Sequence, residues 1–289
     1  MSKRNLLNLF LFIFILALIT LVAYKSGIEK AITPPTLTEL KVSDIRHIKI
    51  TRNSRDTAEQ NVVFVKTSNG WILTQPHQQA ANVFRIESIL KLLSAVSLSQ
   101  NNLSSLNPKQ FGLDNPQASI TFNNKTSIIF GNNKSLKNHR YVRIGTTLHM
   151  IADTFLYQLT AKAESYIDHK VMPEKSKITK LYIPGIQLIQ TDGKWEVTPK
   201  TEHFSADSAN QLISEWQLSQ AYDVNIVKPQ PKIRADILIH LDNKKVIRFK
   251  IKDNKDNFNL VNIDSGISYI LSKDRSNKLL NLSGIEQND

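Results

Sequence analysis

Residues 62–98 read VVFVKTSNGWILTQPHQQAANVFRIESILKLLSAVSL. Val63 and Val65 alternate with polar positions, as a half-buried strand requires. Asn69-Gly70 is a favoured hairpin turn because both residues tolerate positive φ. Trp71 and Leu73 then share one face of a second strand, and Pro76 ends it. Asn82 is placed to cap a helix running to about Leu98, with Val83, Ile86, Ile89, Leu90, Leu93 and Val96 as its apolar stripe. The segment thus predicts strand, turn, strand, stop and amphipathic helix.

A similar pattern returns at residues 186–221, IQLIQTDGKWEVTPKTEHFSADSANQLISEWQLSQA. Here Asp192-Gly193 make the turn, Trp195 opens the strand and Pro199 closes it. Ser205 or Asp207 caps a helix whose stripe is Ala209, Leu212, Ile213 and Trp216. Downstream, TFNNKTSIIF at 121–130 matches HLDNKKVIRF at 240–249, with turns at Asn123-Asn124 and Asp242-Asn243. Trp71/Trp195 and Phe130/Phe249 stand 124 and 119 positions apart, a drift that loop changes would produce. Strand order, turn chemistry and the Gly-Trp…Pro step recur together, which points to an internal duplication. The expected fold class is α+β: two similar units of mostly antiparallel sheet, each with a long helix packed on it and a shorter helix near its end. Whether the units share one sheet or pair face to face is open.

Outward from these units, residues 6–24 read LLNLFLFIFILALITLVAY, with Asn8 the only strongly polar residue. As a helix, this run spans roughly 28 Å, about one bilayer core. It is long for the apolar part of a signal peptide, and Val22-Ala23-Tyr24 is a poor cleavage site, so an uncleaved signal anchor is expected. Lys3, Arg4 and the amino terminus lie on one side and Lys25 and Lys30 on the other, a balance leaning towards the N-terminus inside. The expected division is 1–30 anchor, 31–43 linker with Pro34-Pro35, 44–172 first unit and 173–289 second unit. A strand is expected over 42–51, a loop over 52–61, and short helices from Thr154 to about Glu164 and from Arg275 to Leu282.

The 289 residues are 41% hydrophobic and 21% charged, enough to build a core without staples. Cysteine is absent, which excludes disulfides, thiolate metal sites and a cysteine nucleophile. The net charge is +12, of which residues 1–30 supply +3, leaving +9 on the rest. Small basic groups fall at Lys244-Lys245 and at Arg248, Lys250 and Lys252, alternate residues of one strand face. That face is either simply solvated or attracted to an anionic surface such as lipid headgroups. No nucleic-acid-binding motif accompanies the charge.

The sequence offers few residues in a chemically suggestive pattern. His47, His77, His139, His149, His169, His203 and His240 form no zinc-binding spacing. No nucleophile elbow is present. Gly131 to Ser135 carries only a faint trace of a phosphate loop and reads as a hairpin loop. Asp114 suits a turn or cap, and Asp153, Asp168, Asp242 and Asp264 fall at strand ends or turns. Trp71 and Trp195 suit core aromatics better than stacking platforms. No catalytic, cofactor-binding or metal-binding residue is assigned.

At Gly70-Trp71…Pro76, the following helix and Phe111-Gly112-Leu113-Asp114-Asn115-Pro116, the chain resembles a bacterial family of membrane-anchored domains of unknown function. The second unit repeats the first step as Gly193, Trp195 and Pro199, but has VNIVKPQP at 224–231 in place of the second. The resemblance covers roughly residues 45 to 285. It implies a single-pass protein of the bacterial cytoplasmic membrane with its globular part outside the cytoplasm. Some members are encoded beside ABC transporters of the gliding-motility type. The resulting expectation is a non-enzymatic scaffold or accessory subunit of an envelope or transporter assembly. Alternatives are a lipid- or glycan-binding carrier and, less favoured, an envelope hydrolase.

Overall fold

The computed structural model describes residues 3–28, 35–134, 138–200, 204–253 and 256–282. Pro34, Ser135 and His203 lie outside the described residues. Helix α1 (Lys3–Ile28) is apolar all round. Its stretch Lys3–Val22 is long and apolar enough to cross a membrane, and none of it is buried against the rest of the protein.

From Pro35 on, the stretch read as a linker is docked. Leu37 N–H donates to Ala95 O at 2.7 Å, Thr38 N–H to Leu93 O at 3.2 Å, and Ser97 N–H to Pro35 O at 2.8 Å. The Leu37 side chain is buried. A short 3-10 turn at Val42–Asp44 stands where the strand was expected to begin.

The first sheet is built from β1 (His47–Arg52), β2 (Asn61–Thr67), β3 (Gly70–Gln75), β4 (Gln79–Ala80), β5 (Ser99–Asn102), β6 (Ala118–Phe122), β7 (Thr126–Lys134), β8 (His139–Ile144) and β9 (Thr147–Ala152). Helix α2 (Val83–Leu90) lies between β4 and β5, and α3 (Leu156–Thr160) follows β9. The spatial order is β4-β3-β2-β1-β6-β7-β8-β9-β5. The second sheet contains β10 (Ile178–Ile183), β11 (Ile186–Thr191), β12 (Lys194–Thr198), β13 (Asp223–Ile226), β14 (Ile237–Leu241), β15 (Val246–Asp253), β16 (Asn257–Asn262) and β17 (Ile267–Ser272), with α4 (Ala206–Gln217) after β12 and α5 (Lys273–Leu280) at the end. Its order is β12-β11-β10-β14-β15-β16-β17-β13. Apart from β4, the two sheets run in the same order. Every pairing is antiparallel, for example β1 on β6 and β10 on β14.

Period-two burial makes these strands. Ala118, Ile120 and Phe122 of β6 and Ile237, Ile239 and Leu241 of β14 point inward, with less buried residues between them. Turn chemistry differs between the two Gly-Trp hairpins. Thr191 pairs with Lys194, so Asp192 and Gly193 are the two central residues, both at positive φ. Thr67 pairs with Gly70, so the central residues are Ser68 and Asn69, and Gly70 opens β3 at φ 110°. That corrects the expected Asn69-Gly70 turn: the loop is one residue out of step and glycine takes the position after it.

Asn82 caps α2, its side chain accepting from Arg85 N–H at 3.3 Å. The helix stops at Leu90, passes into a 3-10 turn over Lys91–Ser94, and is over before Leu98. The expected helix is shorter because residues 95–97 are drawn out to pair with the strap at 35–37. Ile86, Ile89, Leu90 and Leu93 are buried, whereas Val83 and Val96 are exposed. In α4 the whole expected stripe is buried, and Ser205 and Ser208 form a reciprocal capping box. The helix expected over 154–164 breaks into α3 and a 3-10 turn at Ala163–Tyr166.

The two sheets are separate but feed one hydrophobic cluster, which includes Phe64, Tyr166, Trp216 and Phe249. The connecting segment 166–171 is hydrogen-bonded on both sides. Asn82 N–H donates to Tyr166 O (2.7 Å) and Asp168 N–H to Ala80 O (2.8 Å). On the other side, Val171 N–H donates to Ser219 O (3.0 Å) and Ala221 N–H to His169 O (2.9 Å).

Candidate functional site

Trp71 in β3 and Trp195 in the edge strand β12 are each half-buried and packed on the core. Trp71 shares its face with Leu73, carries Lys66 Nζ 5.9 Å from its ring centroid, and offers its carbonyl to Ala81 N–H at 2.9 Å. Pro76 and Pro199 follow their strands directly, and both peptides are cis. The wholly buried tryptophan is Trp216, whose Nε1 donates to Leu279 O at 2.9 Å and ties α4 to α5. Its position in the apolar stripe of α4 was the signal for it.

The Phe111-to-Pro116 step closes a loop over the outer face of the first sheet. Pro108–Phe111 forms a 3-10 turn capped by Gly112 at φ 67°. Leu113 is buried with Leu103 and Leu148 in a small second cluster, flanked by Leu106, Phe111, Ile129 and Tyr141. The Phe111 and Tyr141 rings meet edge to face at 5.0 Å. A Cβ on Gly131 would lie 2.1 Å from Phe111 O, and one on Gly112 would lie 2.2 Å from the Asn132 amide oxygen. Both glycines therefore allow a close approach that no side chain would. Asp114 is exposed, and Pro116 leads into β6. The stretch from Gly131 to Lys134 is not a hairpin loop: it continues β7 beyond an irregularity between Phe130 and Asn133. In the second sheet the excursion 227–236 plays the same part. Val227 N–H bonds Gly266 O at 2.8 Å, and a Cβ on Gly266 would lie 2.2 Å from Val227 O.

Two buried arginines are locked in ion pairs. Arg140 Nε and Nη2 grip both oxygens of Asp153 (2.6 and 2.9 Å), and Nη1 donates to Gly131 O at 2.5 Å. Asn133 adds a further bond to Asp153. Burial pushes the Asp153 carboxyl up, but the hydrogen bonds and charge of Arg140, helped by Asn133, leave it below the usual carboxylate value. Arg52 pairs with Glu59 and with the carbonyls of Leu159 and Ala161, pinning the end of α3 to β1. Burial pushes the Tyr166 hydroxyl up to about 12 against the charges of Arg52 and Arg85.

Ser97 Oγ and His149 Nδ1 lie 3.0 Å apart, the one Ser–His contact among the described residues. Both side chains are buried, and Ser97 Oγ also reaches Ser99 O at 3.2 Å, which competes for its single proton. Burial lowers the pKa of His149 and favours the neutral ring. The pair fastens the 95–97 segment to β9, and among the described residues no acid is seen to bond the ring and complete a nucleophilic triad. Among the described residues no group of three His, Cys, Asp or Glu side chains could hold a metal ion.

The basic face of β15 is largely neutralised. Arg248 pairs with Asp264, and Lys250 Nζ reaches Asp236 at 2.7 Å. Lys252 is exposed. The alternation was legible in sequence; the carboxylates opposite it come from a loop and a turn that only the fold brings near.

Compared with known proteins, residues 71–232 match a family described as a domain of unknown function (DUF4340). The matched stretch is narrower than the expected 45–285: it opens on Trp71, one residue into the first Gly-Trp…Pro step, and holds the second step and the Phe111-to-Pro116 loop. No curated protein and no solved structure matches the chain.

Proposed function

The chain belongs to the DUF4340 family, a domain of unknown function, and on that premise we propose that it is a membrane-anchored, non-enzymatic scaffold or accessory subunit. In this reading α1 sits in the bacterial cytoplasmic membrane with its N-terminus inside. The two sheets stand outside the cytoplasm, beside an envelope assembly such as an ABC transporter. The observation that carries it is the join between α1 and the body: an unburied apolar helix is followed, six residues later, by a strap hydrogen-bonded into the core. Such a join suits a protein that presents a rigid surface at a bilayer.

Two further features support it. Two buried arginines form ion pairs that hold elements together, Arg52 with Glu59 and Arg140 with Asp153. The seam between the sheets is filled by Tyr166, Ile167, Val171 and Met172, all buried, which favours a scaffold over a carrier with its ligand between the units. We also read the two sheets as an internal duplication, supported by their common strand order and the repeated Gly-Trp…Pro step.

In-cell crosslinking of the full-length protein, followed by identification of the attached chains, tests the proposal. Reproducible recovery of a permease or another envelope subunit is expected. Recovery of lipid or glycan alone would overturn it in favour of the carrier.

A further inference from the structure

The anchor and the strap together select one side of the body. Six residues separate Ile28 from Pro35, so the connection reaches at most about 25 Å. A compact body of some 250 residues is roughly 45 Å across, the diameter of a sphere whose radius of gyration is about 18 Å. The tether is shorter than the body, and the body is bonded to it at a fixed place. The surface around Pro35 is therefore the one held towards the bilayer whenever α1 is embedded.

That surface has the matching chemistry. Thr36 bridges Val96, which sets their side chains on one face, while Leu37 and Ser97 turn the other way and are buried. The outward face carries Thr36, Val96 and Leu98, with Val96 40% and Leu98 48% exposed, and Pro35 is exposed at the end of the strap beside it. Beside it β5 forms the polar outer edge of the first sheet, with Gln100, Asn101 and Asn102 exposed. An apolar lip beside amide side chains suits the boundary between acyl chains and headgroups. The charges nearby in sequence are mixed: Glu39, Lys41 and Lys91 are all exposed.

We propose that this lip, Pro35–Thr36 with Val96 and Leu98, rests on the same bilayer that holds α1. The contact rests on the anchor reading above and needs no anionic lipid, since the lip is apolar and its neighbouring charges are mixed.

The absence of cysteine in the chain makes the test direct. Leu98→Cys, Phe10→Cys in α1 and Lys244→Cys in the turn after β14 are each labelled with a fluorophore in the full-length protein. Each is reconstituted in phosphatidylcholine vesicles carrying nitroxide on the headgroup or on the acyl chain. The expected result is acyl-chain quenching at position 10 and headgroup quenching at position 98 severalfold stronger than at 244. Added phosphatidylglycerol is expected to leave it unchanged. Quenching at 10 with equal signals at 98 and 244 would overturn the lip contact and leave the anchor standing. Quenching at 98 only with phosphatidylglycerol would overturn it as an apolar contact. No quenching at 10 would overturn the anchor and the lip together.

Discussion

Gly131 and Gly112 face each other across the outer surface of the first sheet, and their substitutions separate two kinds of cost. In Gly131→Ala the new methyl meets a backbone carbonyl, that of Phe111, which can move only if the loop lifts. Overpacking of this kind costs about 1–3 kcal/mol. In Gly112→Ala the methyl meets the movable Asn132 side chain, but the residue must hold φ 67°, a cost of about 1 kcal/mol. Urea unfolding of the two variants is expected to show Gly131→Ala as the less stable. His149 gives a second test at this scale. Its folded-state pKa lies below the ordinary 6.5, so the unfolded chain takes up the proton first. Its contribution is whole above pH 6.5 and falls away as the pH drops below that value. Thermal melts from pH 7.5 to 5 are expected to show this decline, and His149→Gln is expected to flatten it. Asp153 acts in a lower window: its contribution is present above 3.8 and is lost as the pH falls through its depressed folded value.

The helices and hairpins show what could be read from the chain alone. The stripe of α4 was legible because Ala209, Leu212, Ile213 and Trp216 follow one period and nothing competes with it. The end of α2 was not, because Ala95 to Leu98 continue the helical pattern and only the distant strap pulls them straight. Strand β5, Ser-Gln-Asn-Asn, carries no apolar alternation and exists by pairing with β9. The Ser97–His149 contact was invisible for the same reason, since its partners lie on segments joined only by that pairing. The two Gly-Trp steps stand out in the sequence, yet the fully buried tryptophan is Trp216. Trp216→Ala is expected to cost about 3–5 kcal/mol. The half-buried Trp71→Ala and Trp195→Ala are expected to cost clearly less, which chemical denaturation of the three variants checks. Equal losses would show that the strand tryptophans are as much part of the core as the helix one.

As a whole molecule, the chain is two sheets on one core with a strap leading to α1. Removal of residues 1–34 leaves that strap in place, and the fragment 35–289 is expected to fold as a soluble body. Removal of residues 1–40 takes Leu37 and the three strap hydrogen bonds as well. Losing the Leu37 burial alone is worth about 2 kcal/mol, so the shorter fragment is expected to melt at a lower temperature. Equal melting temperatures would show that the strap contributes nothing. The seam at 166–171 has a consequence of another kind, in the order of events as the chain is made. Its first partner, Ala80 to Asn82, is already available when it emerges. Its second, Ser219 to Ala221, follows about 50 residues later, roughly 3–10 seconds at ordinary synthesis rates. During that interval the nascent protein carries a finished sheet with one side of the seam unpaired, an open backbone edge to which a neighbouring chain can add. The second unit closes that edge, so its prompt arrival protects the first.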